Sequence, residues 1–399
     1  MLNQIKKRFP VFEKIPDLVF FDTAASALKV DTMIKAITEC YSYEYANIHR
    51  GMYELSSKLT KRFEDSRLSV SKFINSPSPK NIIFTKSATE GINLVSSCLS
   101  KNYFNDGDEV LVTSLEHHAN LVPWHLVSKK IKIISTKITA TGELDYKDLL
   151  EKINSKTKLL AITHMSNVTG SITNFDEIKD KIRKFDVPIL IDGCQYVPHK
   201  KLNIIDLDPD FYVFSAHKLY GPSGLGLLYM KDKWINELDP YQGGGSMIKN
   251  VEIDSSTYLE GFQKFEAGTP PIAEVIGLSS SLDFINEVGI DNIYEFENQL
   301  TKYAYDKMKE NNDLIIYGDF KNQTSIISFN VQGVHFNDLA LLLDKKNIAI
   351  RTGHHCAQPF MKQFKISGNA RMSVGVYNTK DDIDYFIKSI DEAKKILKS

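Results

Sequence analysis

Residues 210–230 read DFYVFSAHKLYGPSGLGLLYM. An apolar run, Phe211 to Phe214, leads into Ser215, His217 and Lys218, then into a Gly/Pro turn and a second apolar run. Runs that are apolar throughout, rather than alternating, belong to strands covered on both faces. Upstream, NIIFT, DEVLVT, KIKIIST, KLLAIT and VPILIDG repeat the pattern at helical separations. Together they predict an α/β fold, a mainly parallel seven-stranded sheet flanked by helices, spanning residues 16–286. Ligands of such sheets sit at the carboxyl ends of the strands, so the residues after each run are the ones to inspect.

Downstream, AEVIGLSSSLDFINEVG places Val275, Leu278, Leu282 and Ile285 on one helical face and stops at Gly289. Asp291 is expected to cap a second helix, with Phe296, Leu300 and Tyr303 along one stripe. LIIYG, TSIISFNV, NDLALLLDKKN, IAIRT and a final helix from about Asp381 predict a smaller α+β domain over residues 287–399. Residues 1–15 are expected to pack on it.

The chain has 399 residues and 42% hydrophobic content, enough for a large core, and 49 Lys+Arg against 50 Asp+Glu leave no net field. Neither a nucleic-acid partner nor a membrane surface is expected on bulk charge. No run of about 18 apolar residues is present, and the basic N-terminus lacks an apolar stretch after it, so a cytoplasmic location is expected. The four cysteines, Cys40, Cys98, Cys194 and Cys356, are too scattered for a disulfide framework. Only seven of the 49 basic residues are arginine, and a fixed bidentate fork is a reason to spend one.

Chemistry concentrates after the apolar runs. Lys218, crowded by apolar and glycine neighbours, is either an exposed turn lysine or a desolvated amine suited to Schiff-base chemistry. Asp192, where the apolar strand of VPILIDGCQ ends, 26 residues earlier, caps the next helix or keeps a pyridinium nitrogen protonated. Ser87, Ala88 and Thr89 open a helix after NIIFTK, as an ordinary cap or as a phosphate site. His117 in VTSLEHHAN leaves another strand, as a surface histidine or as a flat ring over a planar cofactor. In IAIRTGHHCAQP, Arg351 leaves a strand and Cys356 follows two histidines and is expected to be a nucleophile. Adjacent loop residues are not expected to converge on a metal, and no metal motif is present, so no resident metal is expected. Cys40 and Cys98 read as core, and Cys194 as a small residue beneath a ligand. GPSGLG precedes a strand, the wrong setting for a dinucleotide loop, and no P-loop motif occurs.

FDTAASA, NIHRGMYELS, SATEGINLV, EHHANLVPW, HMSNVTG, IDGCQYVPH, FSAHKLYGPSGLGLLY, GGGSMI, FEAGTPP and RTGHHCAQP together resemble the class V aminotransferase family of fold-type I pyridoxal 5′-phosphate (PLP) enzymes. More narrowly they resemble its cysteine desulfurases of the SufS/CsdA (group II) type, from about residue 20 to 380. The resemblance implies that Lys218 carries PLP as a Schiff base, Asp192 pairs with the pyridine nitrogen and Gln195 bonds the phenolic oxygen. His117 would stack on the ring, and Ala88, Thr89, Ser215 and His217 would surround the phosphate. Gly268 and Thr269 would reach the phosphate of a neighbouring subunit, implying a homodimer. Asn167 and Arg371 match positions at the substrate carboxylate, Arg50 and Arg351 line the entrance, and Cys356 matches the sulfur-accepting cysteine.

The implied reaction takes L-cysteine to L-alanine, Lys218 moving the Cα proton, His117 taking the thiol proton and Cys356 accepting the sulfur as a persulfide. The sulfur then passes to an acceptor protein for iron–sulfur cluster assembly. A selenocysteine lyase on the same fold is the alternative. The short R-T-G-H-H-C-A segment implies limited thiol reach, so the acceptor must dock near the cleft. Asn337 stands where users of a zinc-containing SufU-type acceptor resemble one another in having His. It reads as a helix N-cap, which leans toward a SufE-like partner.

Overall fold

The computed structural model describes residues 5–321 and 323–398. All seven apolar runs form strands of one sheet: β1 (Ile82–Thr85), β2 (Asp108–Thr113), β3 (Ile131–Thr136), β4 (Thr157–Thr163), β5 (Ile189–Asp192), β6 (Phe211–Ser215) and β7 (Gly226–Met230). Their order is β1-β7-β6-β5-β4-β2-β3. Only β7 runs antiparallel to its neighbours. The uniform apolarity has a simple cause. Ile82, Phe84, Tyr212 and Phe214 enter one core while Ile83, Phe211 and Val213 enter another on the opposite face.

Helix α1 (Asp31–Glu39), α2 (Glu54–Phe73) and α4 (Ile272–Val288) cover the first face, and α3 (Ala88–Asn102) covers the second. Val275, Leu278, Leu282 and Ile285 of α4 are buried as expected, but so are Ile272, Ala273, Ile276 and Phe284. The helix is therefore enclosed on nearly every side rather than striped. It ends at Gly289, whose φ of 88° only glycine adopts readily. That glycine also starts α5 (Ile290–Lys309), so Asp291 lies in the first turn and is not the cap.

A four-stranded sheet forms the smaller layer, from β8 (Leu314–Tyr317), β9 (Ile326–Val331), β10 (Arg351–Gly353) and β11 (Asn369–Ser373), in the order β8-β9-β11-β10. Strand β11, NARMS, lies inside this sheet although its sequence is not predominantly apolar. IAIRT divides at Ile350: Ile348–Ala349 pairs with Val19–Phe20, and β10 pairs with β11. Phe21 thereby joins Ile327, Phe329 and Phe386 in a third core with α5 and the last helix, Lys380–Lys398. The first strand after residue 16 thus belongs physically to the smaller layer. Phe9 contacts Tyr377, Tyr220 and Phe284 at ring centroid distances of 4.9, 5.7 and 5.8 Å, so the N-terminal segment packs at the junction of the two layers. Helix α6 (Phe336–Asp344) is capped by His335, whose Nδ1 accepts the Asn337 N–H at 3.3 Å. Asn337 is inside the helix, contrary to its reading as the cap, and its Oδ1 accepts from the Thr352 hydroxyl at 2.8 Å.

The start of α3 depends on a close approach. A Cβ on Gly226 would lie 2.1 Å from the carbonyl carbon of Ser87, a backbone atom that cannot swing aside. Gly226→Ala should therefore push β7 off the α3 N-terminus, at a cost of about 1–3 kcal/mol typical of overpacking. A lowered thermal unfolding midpoint is expected, and an unchanged one would show that the two segments do not press on each other.

Candidate active site

Strands β1, β2, β4, β5 and β6 all end on one edge of the large sheet, and the side chains that follow them enclose a cavity of about 260 Å³. Ala88, Thr89, His117, Asn167, Asp192, Gln195, Ser215, His217 and Lys218 line it, and Arg351 and Arg371 reach it from the smaller layer. The cavity therefore lies between the two layers.

Its floor is the N-terminus of α3. Ser87 caps the helix by accepting the Glu90 N–H at 3.1 Å, while Glu90 accepts the Lys86 N–H at 2.5 Å, a reciprocal cap that fixes the turn. The Ala88 N–H donates to the Ser215 hydroxyl at 3.0 Å, joining two strand ends. Donors at such a helix start favour an anion. Asp192 is buried and its Oδ1 accepts the Cys194 N–H at 3.0 Å. Burial, then the neighbouring Asp192, pushes the Cys194 thiol up, which keeps it protonated and unreactive. Cys40 and Cys98 are core residues, as read.

Lys218 is half-buried on a single 3₁₀ turn after β6. Two histidines face it. Burial, and secondly the Lys218 charge, lowers His117 to about 4 and His217 to about 4, so both rings are neutral near pH 7. His117 Nδ1 accepts the Ala119 N–H at 3.0 Å, which assigns the ring proton to Nε2. In this tautomer Nε2 donates a proton rather than taking one, so the geometry serves stacking better than the thiol-base role expected from sequence.

Arg371 is 2% exposed. Its Nη1 donates to the Asn167 carbonyl at 2.8 Å and its Nη2 to Asp22 Oδ1 at 3.3 Å, while burial lowers it to about 10, leaving it charged at neutral pH. Burial dominates at Asp22 also and raises it, despite the lowering influence of Arg371 and Arg351. Asn167 Nδ2 in turn donates to the His355 carbonyl at 2.6 Å, tying the β4 end to the loop before Cys356. Three lining side chains carry buried polar atoms with no partner among the described residues: Gln195 Oε1, His355 Nδ1 and Arg371 Nε. Such atoms are costly unless a ligand meets them. A cavity with an anion-binding helix start, a buried carboxylate, an amine and an arginine fits PLP together with an amino-acid carboxylate.

Cys356 is not among the side chains that line the cavity, but it directly follows one that is, His355. Its carbonyl accepts the His118 N–H at 2.7 Å, and its φ of 55° and that of His355, 49°, are left-handed. Strain of that kind in a non-glycine loop is held in place by its surroundings. Arg50 and Thr269 lie elsewhere, in a separate cleft of about 650 Å³ that Gly268 also lines, so one chain does not bring them to Lys218. Sequence reasoning passed over four residues of this region. Asp22 had no motif beyond FDTAASA, and His355 was overshadowed by Cys356. Lys29, lowered to about 8 by burial, donates to the His217 carbonyl at 2.9 Å. Glu116 was hidden by the histidines beside it.

A model for class V aminotransferases matches residues 19–386. The chain belongs to that family. It is 42% identical to a cysteine desulfurase of Wigglesworthia glossinidia brevipalpis, over 100% of this chain and 98% of that one. It is 38% identical to a probable cysteine desulfurase of Staphylococcus aureus strain N315, over 99% and 97%. The crystal structure of the Escherichia coli cysteine desulfurase CsdA superposes with a TM-score of 0.93 at 34% identity, covering 99% of each chain. The fold-type I architecture and the cysteine desulfurase resemblance read from the motifs are thus borne out.

Glu116 makes this edge pH-sensitive. It is fully buried, accepts from Thr113, Asn120 and the Thr163 N–H at 2.6, 2.6 and 3.0 Å, and is raised to about 8 by burial. A folded-state pKa above the unfolded value means that ionisation opposes folding, by an amount that grows from about pH 4.5 to about pH 8. Stability should fall across that range, and Glu116→Gln should flatten the slope. Thermal melts at pH 6 and pH 8 measure it, and parallel slopes in the two proteins would refute the assignment.

Proposed function

We propose that the protein converts L-cysteine to L-alanine and takes up the sulfur on Cys356 as a persulfide, for transfer to an acceptor protein that feeds iron–sulfur cluster assembly. The carrying observation is the convergence of Lys218, Asp192 and Arg371 on one cavity, with Cys356 next in the chain to its lining residue His355. Lys218 Nζ would hold PLP, Asp192 would face the pyridine nitrogen, Gln195 the phenolic oxygen, and Ala88, Thr89, Ser215 and His217 the phosphate. Bound there, PLP supplies an electron-withdrawing ring that acidifies the substrate Cα–H.

The chain's own groups do the rest. Arg371 receives the substrate carboxylate through its unpaired Nε, with Asn167 and Arg351 beside it, and so fixes which face of Cα meets Lys218. Lys218 Nζ takes the Cα proton and later returns one. The neutral ring of His117, with its proton on Nε2, would stack on the cofactor. The Cys356 thiolate attacks the substrate sulfur as the Cβ–S bond breaks. In sum, L-cysteine and the Cys356 thiol give L-alanine and a Cys356 persulfide, with no external oxidant.

Arg50 and Thr269, remote from Lys218 in one chain, support a homodimer in which each subunit's Thr269 turn completes the other's phosphate site. Exposed Tyr41, Tyr43, Met52 and Tyr53, close in sequence to Arg50, give such a contact an apolar surface. Asn337, engaged by Thr352, favours a SufE-like acceptor over a SufU-like one. A cytoplasmic location accords with bacterial relatives, and among the described residues no helix is long and apolar enough to cross a membrane.

Incubation with L-cysteine followed by mass spectrometry should show one added sulfur on the Cys356 peptide. Cys356→Ala should stay yellow with bound PLP yet form alanine from cysteine at least about 100-fold more slowly, as loss of a covalent nucleophile predicts. Full turnover in that variant would overturn the reading. Arg371→Lys, which loses the fork, should chiefly raise KM for cysteine, by about 10-fold or more.

A further inference from the structure

The loops that bring Cys356 to the cavity also gather ligating groups on its outer side. We propose that His118, His354 and Cys356 form a binding site for a thiophilic divalent cation, zinc being the reference ion, and that its occupancy inhibits the enzyme by holding the Cys356 sulfur.

The donor atoms of the three side chains lie within 4.8 Å of one another. Zinc binds thiolate at about 2.3 Å and imidazole at about 2.0–2.1 Å in a tetrahedral array. Donors around such an ion are therefore roughly 3–4 Å apart, so these three would have to close by no more than about 1–2 Å to share one. The sequence argued that neighbours in a loop do not converge on one ion. The fold supplies what that argument lacked. Left-handed φ values at His355 and Cys356 turn the loop so that His354 and Cys356 face the same side. The third donor comes from the loop after β2, held there by the 2.7 Å bond from the His118 N–H to the Cys356 carbonyl. The His118 and His354 rings sit side by side, 5.5 Å between centroids.

Each ring already presents an unprotonated nitrogen to the 356–358 turn. His354 Nδ1 accepts the Cys356 N–H at 3.1 Å, and His118 Nε2 accepts the Gln358 N–H at 3.2 Å. Ligation at these atoms exchanges two long hydrogen bonds for two metal bonds. The ion has a route in, because both histidines border an open groove of about 900 Å³ and His354 is exposed. On binding, the Cys356 thiol loses its proton to solvent and its sulfur lone pair to the metal. Three protein ligands leave the fourth position to water or to a free thiol.

Inhibition rests on the role proposed for Cys356, whereas binding does not. Chelator-washed, PLP-loaded full-length protein dialysed against zinc chloride should retain one zinc per chain. Cadmium in its place should produce an ultraviolet thiolate-to-metal band, and zinc should slow alkylation of Cys356 by iodoacetamide. His118→Gln and His354→Asn keep an acceptor for the backbone N–H. Each should weaken zinc binding at least about tenfold and relieve zinc inhibition of alanine formation, with metal-free turnover retained. Absence of bound zinc, absence of the cadmium band, or zinc affinity unchanged in both histidine variants would overturn the site. Zinc binding as described, together with full turnover by Cys356→Ala, would leave the site standing and remove the sulfur-acceptor role instead.

Discussion

Arg371 is the constraint around which the site is organised. A guanidinium excluded from water is expensive unless each of its donors meets an acceptor. This one meets Asp22 of the first strand-like segment and the carbonyl of Asn167 from the large sheet, while its Nε meets no acceptor among the described residues. To satisfy it the chain must bring together β11, the end of β4 and the first strand-like segment. These three are distant in sequence, and together they set how the smaller layer sits over the larger one. The cavity is a by-product of that closure.

A second tie works in parallel. Glu297 of α5 is completely buried, with His199 at 2.5 Å, the Ser325 hydroxyl at 3.1 Å and the Tyr220 hydroxyl at 3.3 Å. Tyr220 is two residues beyond Lys218, so the turn bearing the amine is anchored from beneath by a polar cluster that spans both layers. Such clusters are rigid when fully satisfied. The amine is thus held by the large sheet on one side and by α5 on the other.

Most of this was legible in the chain, and what was missed has identifiable causes. The seven large-sheet strands announced themselves because both faces are covered, so every position is apolar. Strand β11 did not, because NARMS places Asn369 and Arg371 in buried positions whose partners, Arg371 Nε excepted, come from elsewhere in the chain, and no local pattern records that. The Asp291 and Asn337 caps failed for a related reason. The positive φ of Gly289 sets one helix start and the His335 ring caps the other, and composition alone does not rank competing positions two residues apart. Ala88, Thr89, His117, Asp192 and Lys218 were readable because each follows an apolar run, whereas Asn167 and Gln195 came only from the family resemblance. His118 was not, since its importance arises only from the loop that the fold lays beside it. Arg50 and Thr269 were named from motifs, and one chain keeps them apart from the rest.

Arg351 and Arg371 are direct cross-strand partners in the β10–β11 ladder. Like charges opposite one another weaken a sheet, and here the repulsion falls where the edge strand β10 meets β11. An anion placed between them removes the penalty, and whatever binds the folded form preferentially also stabilises it. An anion held beside the two arginines would therefore steady this seam as well as occupy it.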